Sequence, residues 1–424
     1  MSNDGNFMEI QNRPGESQLP GAVQNQKPVI LFITILFHLV LIFRTSFADL
    51  FQRKEIGYFI LACLLLLLFS LFFFIEKTAR QSHQELSFLK HVEFKSSLRL
   101  FIVFACLIFA FGIFIRVIAI RMVPLGVQIA DMLPLIQKAG AALLNGENPY
   151  QLYYFPYPMP LTFMPGFWLP YVPASVLDID PRWVGLCLWV GITIILIGYT
   201  IKTAVRKSSP TLLLLSSINI LLLQFSMEFV SFQAYGHSFA YWLWLIFLGI
   251  SLAEKKYYLS AVALGLVLCS RQTSIIYFPV AAIFWYTNMG LRQTLKYILV
   301  SSFVFCLVML PFFIMSPYQL IIAPINHYAQ LAANELRLGS NSLMSNTIGF
   351  AYLIQSHWGP KILSIASGIS LFVIVVFSGY MVRNKVRMLV FLAAAATFFS
   401  FFTPIPWIYL YYPPLLFLSI AVLE

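Results

Sequence analysis

ADMLPLIQKAGAALLNGENPYQLYYFPYPMPLTFMP, residues 130–165, is a polar island between hydrophobic runs. An acid, Asp131, stands just beyond a membrane-length apolar segment. A helix-like stretch follows it, then the stop Gly146-Glu147-Asn148-Pro149-Tyr150, then a Tyr/Pro run. A loop that only joins two spans needs no such order.

The rest of the chain supplies the context. It has 424 residues, 60% of them hydrophobic and 10% charged, with a mean hydropathy of +0.83. Soluble domains carry about 25% charged residues, and apolar runs of about 20 residues read as membrane spans. The expected fold class is an all-α integral membrane protein with about twelve transmembrane helices. Its long first outer loop would contain an amphipathic helix. The net charge of +11 points to membrane orientation rather than to nucleic acid, because the basic residues sit in short loops between apolar runs.

Apolar runs fall at about 29–43, 57–75, 99–120, 183–203, 210–226, 237–253, 257–270, 273–288, 297–316, 361–382, 387–402 and 407–423. The pair around Arg271 is short, which suits broken helices facing protein or a cavity. Residues 159–173 are apolar but carry Pro160, Pro165, Pro170 and Pro173. If they do not cross, Lys202, Arg206, Lys207, Lys255, Lys256, Arg292, Lys296, Arg383, Lys385 and Arg387 share one face, and Arg182, Arg271, Arg337 and Lys361 the other. The positive-inside rule then makes the first face cytoplasmic. The expected organisation is a disordered cytoplasmic tail (1–28), a transmembrane hairpin with a cytoplasmic loop (29–98), and a transmembrane module (99–316) with outer loop 121–182. A second outer loop (317–360) and C-terminal helices (361–424) follow. No internal repeat is evident. All five cysteines lie in apolar runs, without metal spacing, and read as small buried hydrophobes.

Asp131 has two readings. One is a helix N-cap whose carboxylate accepts a backbone N–H of a helix starting at Met132. Pro134 fits the first turn, and Gly146 and Pro149 the stop. Met132, Ile136, Ala139 and Leu143 then share an apolar face, suited to a membrane surface. The other reading is a general base or metal ligand at the outer face, since ionisable groups at membrane depth are costly and tend to be functional. The triplet Asp178-Ile179-Asp180 could bind a divalent metal, although Pro181 suggests a turn.

Three stretches together resemble the GT-C superfamily of polytopic glycosyltransferases, most closely glycosyltransferase family 87. The first runs from Asp131 through Leu144-Asn145-Gly146-Glu147-Asn148-Pro149-Tyr150 to Phe155-Pro156-Tyr157-Pro158 and Leu169-Pro170. The second is Gln233-Ala234-Tyr235-Gly236-His237, followed by Lys255-Lys256, Ala263-Leu264-Gly265-Leu266 and Arg271-Gln272. The third is Thr403-Pro404-Ile405-Pro406-Trp407, similar to a Ser-Pro-x-Ser-Trp element. Family members often carry histidines just after that Trp; here Ile408, Tyr409, Leu410 and Tyr411 follow. The resemblance covers about residues 99–420 and leaves the hairpin 29–75 outside.

The resemblance implies a hexosyltransferase. It would move mannose or another hexose from a polyprenyl-phosphate donor to a lipid or glycan acceptor on the outer face of a membrane, read as the bacterial inner membrane. Asp131 would be the base. Arg271, Arg337 and His237 would bind the donor phosphate. Glu147, Tyr150, Tyr157, Gln233, Gln272 and Trp407 would contact substrate, and Tyr154 and Trp168 could stack on sugar faces. No metal ligand is assigned, and a divalent metal is left open as cofactor. The second outer loop, with His327, Asn334 and Glu335, would cover the site. Partners would be membrane lipids, donor and acceptor, with no nucleic acid. The alternatives are an O-antigen-polymerase or ligase-like enzyme, relying on basic loop residues, and a multi-span transporter, which would show two similar halves.

Overall fold

The computed structural model describes residues 26–51, 53–79, 93–127, 131–155, 158–337, 345–403 and 407–424. The expected tail lies almost wholly outside them. The chain is nearly all helical, as a membrane requires of backbone that has no water to bond. In chain order the first helices are α1 (Gln26–Ala48), α2 (Lys54–Ala79), α3 (Phe94–Met122) and α4 (Met132–Leu144). A small hairpin of β1 (Leu152–Tyr154) and β2 (Pro158–Pro160) follows, then the short α5 (Pro165–Trp168) and α6 (Val172–Val176). Next come α7 (Pro181–Lys207), α8 (Pro210–Phe225), α9 (Met227–Tyr235), α10 (Phe239–Ala253), α11 (Tyr257–Leu268), α12 (Tyr277–Met289) and α13 (Leu291–Met315). The last are α14 (Ala323–Arg337), α15 (Ala351–Met381), α16 (Lys385–Phe401) and α17 (Tyr412–Leu423).

Each of the twelve apolar runs falls in a helix. Among the described residues, seven helical segments are long and apolar enough to cross a membrane: 27–48, 54–73, 94–122, 181–207, 210–235, 291–315 and 351–381. Helices α10, α11 and α17 are apolar but shorter. Residues 159–173 form no long helix; their prolines open the short turns of α5 and α6 instead. The helix that holds the apolar run 361–382 begins earlier than its hydropathy suggests. Helix α15 starts at Ala351 and bends at Gly359, where φ is +83° and Pro360 follows.

Every residue of α17 is buried. It packs on α1, α10 and α16, so the N-terminal hairpin is built into the bundle rather than appended to it. Arg44 of α1 pairs with Glu228 of α9, whose second oxygen accepts from the Tyr412 hydroxyl at 2.7 Å.

Two helix breaks are satisfied by partners. At the α8–α9 break, the buried Arg116 of α3 donates to the carbonyls of Leu223 and Gln224 at 3.2 and 3.0 Å, and to Gln224 Oε1 at 3.1 Å. These last-turn carbonyls have no helical partner of their own. At the α11–α12 break, the Gly166 N–H donates to Cys269 O at 2.9 Å. A methyl group at Gly166 would press on Cys269 O and Ser270 Oγ, each 3.0 Å away, so only glycine lets α5 dock there.

The cysteines correct their sequence reading. Cys269 alone is buried; Cys63, Cys106, Cys187 and Cys306 are exposed on apolar helices. An apolar run has an outward face as well as a core face, and hydropathy does not separate them.

Candidate active site

The site gathers at one end of the bundle, where α4, the loop before α5, the α9–α10 and α11–α12 breaks, α14 and the turn before α17 meet. Asp131 stands at the N-cap position of α4, half-buried. The expected cap bond is absent. Asp131 has helical backbone angles (φ −56°, ψ −35°), and its side chain accepts no capping hydrogen bond. An N-cap residue normally leaves the helical region to turn its carboxylate onto the first amides. The Asp131 carboxylate is therefore not held as a regular helix cap. Burial pushes its pKa up, while the nearby Met132 amide, its own amide and His327 oppose the shift.

Arg271 emerges where α11 ends, in extended backbone at the head of a 3₁₀ turn (Gln272–Ile276). It is 8% exposed. Its guanidinium lies over the rings of Tyr409 (5.1 Å), Phe167 (5.6 Å), Phe163 (5.8 Å) and Tyr241 (5.9 Å). Tyr328 of α14 also lies within electrostatic reach. Among the described residues Arg271 forms no ion pair. A buried guanidinium held only by aromatic faces and the Tyr409 hydroxyl is costly, and an anionic ligand would offset that cost.

His237 sits beside Arg271 in the α9–α10 turn. Its ring packs against Phe163 (4.8 Å), Phe167 (5.4 Å), Tyr409 (5.5 Å) and Phe232 (6.3 Å). Both ring nitrogens are sealed from solvent, with no hydrogen-bond partner among the described residues. Its main-chain carbonyl accepts from the Tyr171 hydroxyl at 2.9 Å, which fixes the turn.

Tyr409 joins the two halves of the site. It interacts with Arg271 and lies within electrostatic range of Asp131. Trp407 stacks nearly parallel to it, 6.4 Å away at 6°. Helix α14 covers the group with consecutive residues. His327 faces Asp131, and the Tyr328 hydroxyl lies 3.3 Å from Thr162 Oγ1. Gln272 donates to Thr162 O at 3.2 Å. The segment expected to cover the site thus supplies two side chains that touch it. The side chain of Glu335 lies outside the described residues, and Asn334 is exposed.

Several expected contacts are corrected. The Tyr150 ring is buried, and its hydroxyl donates to Phe163 O (2.9 Å) while accepting from Trp168 Nε1 (3.0 Å), so both side chains brace the loop. Gln233 is buried against α7, and its amide nitrogen donates to Arg182 O at 3.2 Å. Glu147 is exposed beyond the far end of α4, within reach of Gln151. Arg337 stands exposed at the end of α14, away from the covered cluster. Tyr157, Pro404, Ile405 and Pro406 lie outside the described residues.

Asp180 does not act as a metal ligand here. It caps α7, accepting from Arg182 N at 2.9 Å, and its carboxylate pairs with the Arg182 guanidinium at 2.6 Å. Asp178 occupies a left-handed turn position with φ 50°. Among the described residues no three His, Cys, Asp or Glu side chains come together as a metal site.

Tyr409, Tyr328, Thr162 and Tyr241 were not singled out by sequence reasoning. For Tyr409 the signal was available, since it directly follows the Trp407 element. For the others nothing distinguishes them from the chain's many aromatic and hydroxyl residues. No family model, curated protein or solved structure matches this chain.

Proposed function

We propose that this chain is a membrane glycosyltransferase of GT-C type. It takes a hexose, such as mannose, from a polyprenyl-phosphate donor and passes it to a lipid or glycan acceptor. The twelve apolar helices are read as twelve crossings, and the Asp131 end as the non-cytoplasmic face of a bacterial inner membrane. One observation carries the reading. An uncapped, half-buried carboxylate and a buried guanidinium that has no counter-ion among the described residues meet around one tyrosine, beneath a helix that covers both.

The chemistry follows from these groups. The acceptor hydroxyl oxygen bonds to the anomeric carbon as the bond from that carbon to the donor phosphate oxygen breaks. The transition state is oxocarbenium-like, the electronic demand that glycosidases also meet. Asp131 takes the hydroxyl proton as general base. The phosphate leaves with the bonding pair, and Arg271 stabilises the charge it gains. Arg271 offers a planar fork of donors suited to phosphate, and His237 presents two unused ring nitrogens beside it. The aromatic cage excludes water, which strengthens that attraction. Nucleotide sugars are cytoplasmic, so an outward site calls for a lipid-borne donor.

The test is transfer from radiolabelled polyprenyl-phosphate hexoses in membranes carrying the wild type, Asp131→Asn or Arg271→Gln. Loss in both variants at equal protein level is expected. Equal transfer by Asp131→Asn and wild type would remove the base assignment. No wild-type transfer from any of several donors would overturn the reading for those donors.

A further inference from the structure

The end of the bundle opposite Asp131 holds a second unusual cluster, independent of the proposed activity. It is built where α1 begins and where α7, α10 and α17 end, with the start of α16 alongside. Lys27 is the anomaly, being only 8% exposed. Its ammonium donates to Leu423 O at 3.1 Å. The Lys207 ammonium, a near neighbour, donates to Leu423 O at 3.3 Å and Glu424 O at 2.6 Å. Neither lysine forms an ion pair with a side-chain carboxylate among the described residues.

Glu424 is the buried acid at the centre, and its carboxylate is already shared. Lys385 and the Tyr199 hydroxyl contact it, and Arg206 Nη2 lies 3.7 Å away. Glu254 is taken by Lys202 and, at 3.4 Å, by Arg206. Among the described residues, five cations (Lys27, Lys202, Arg206, Lys207, Lys385) therefore face two side-chain carboxylates, Glu254 and Glu424. A main-chain carboxylate on Glu424, if counted too, would still leave the cations in excess. The last carbonyls of α17 carry only a partial negative charge, equivalent to about half an electron.

The positive-inside tendency explains cations at this face but not this arrangement. Exposed lysines such as Lys255 and Lys296 reach water on their own stems. Lys27 is instead held inside against a like charge. Arg206, Lys207 and Lys385 leave the cluster open on one side, with Arg206 46% and Lys385 31% exposed. A ligand can reach it from there. Basic pockets between helices at a membrane surface suit anionic headgroups.

We propose that Lys27, Lys207, Arg206 and Lys385 form a binding site for a phosphate-bearing anion, which in the membrane is the headgroup of an anionic phospholipid. The headgroup would bridge Lys27 and Lys207 and relieve their repulsion. The lipid tails would lie along the apolar outer face of the neighbouring helices.

The full chain in detergent is melted with added phosphatidylglycerol, phosphatidylcholine or inorganic phosphate, and bound lipid is counted by native mass spectrometry. Phosphatidylglycerol is expected to raise the melting temperature by at least about 3 °C, with retained lipid, while phosphatidylcholine does neither. Lys27→Gln/Lys207→Gln should lose both effects, and Lys255→Gln/Lys256→Gln should keep them. Should the double variant fold poorly, the solvent-open Lys207→Gln alone is used, read by retained lipid. An equal shift from phosphate alone would identify free phosphate as the ligand and overturn the lipid assignment. Equal response to both lipids, or equal loss in the control variant, would overturn the site.

Discussion

The Tyr409 ring lies 5.1 Å beneath the Arg271 guanidinium. The same tyrosine is within electrostatic range of Asp131. A base and a phosphate binder must act on the two ends of one reacting bond, so a shared neighbour is the geometry that the proposed transfer needs.

Asp131→Asn is expected to lower transfer by about 10²–10⁴-fold, the usual contribution of a positioned base. Folding should not suffer, because the carboxylate makes no cap bond. The variant should even melt slightly higher at neutral pH. Burial raises the folded pKa of Asp131, so its contribution to stability is present below the ordinary carboxylate pKa and lost as pH rises through the raised value. Transfer and melting temperature measured on one preparation check both signs.

Arg271→Gln should cost about 10²–10³-fold in transfer rate, comparable with losing one donor to a developing charge. Arg271→Lys should recover little, since a point charge cannot reproduce the fork or its stacking in the aromatic cage. Single-turnover rates with both variants decide this; full activity in the lysine variant would show that charge alone suffices.

The rate should fall on acidification at a higher pH than for an ordinary carboxylate, because burial holds the Asp131 pKa up. The His327 charge opposes that shift, and among the described residues Tyr409 is the other titratable side chain facing Asp131. His327→Gln should therefore move the acidic limb further towards neutral. A pH–rate profile with unchanged limb would separate His327 from Asp131.

Gly166→Val should abolish the docking of α5 on the α11–α12 break, since a side chain there collides with Cys269 and Ser270. The break positions Arg271, so the loss should appear as a rise in donor KM and a fall in kcat. Transfer kinetics measured in membranes, with the expression level checked in parallel, would test this.

Arg182→Ala should destabilise the fold by about 3 kcal/mol, the range for breaking a buried hydrogen-bonded ion pair. Arg182 ties three elements together, donating to Val123 O at 2.6 Å and Ala234 O at 3.2 Å as well as to Asp180. A thermal melt in detergent reads this loss, and a shift below about 1 °C would show the network to be expendable.

Much of this protein was legible in its sequence. Hydropathy located every apolar helix, because each must bury or present about 20 apolar residues, or break where protein covers the break. The polar island showed its acid, its amphipathic helix and its glycine–proline stop, since each depends on local chemistry. The basic residues carry the expected orientation, which rests on the positive-inside rule. Hydropathy could not tell a buried cysteine from an exposed one, or a site tyrosine from a brace such as Tyr150. It also could not foresee that Asp131 would forgo its cap.

Those outcomes depend on which helices meet. Arg271, His237 and Tyr409 come from three separate turns, and only the packing of α10, α11 and α17 brings them together. His327 and Tyr328 reach the site because α14 lies back across it. Spacing in the sequence fixes which residues share a helix face. Contacts between distant turns follow from how whole helices pack, and that is decided in three dimensions.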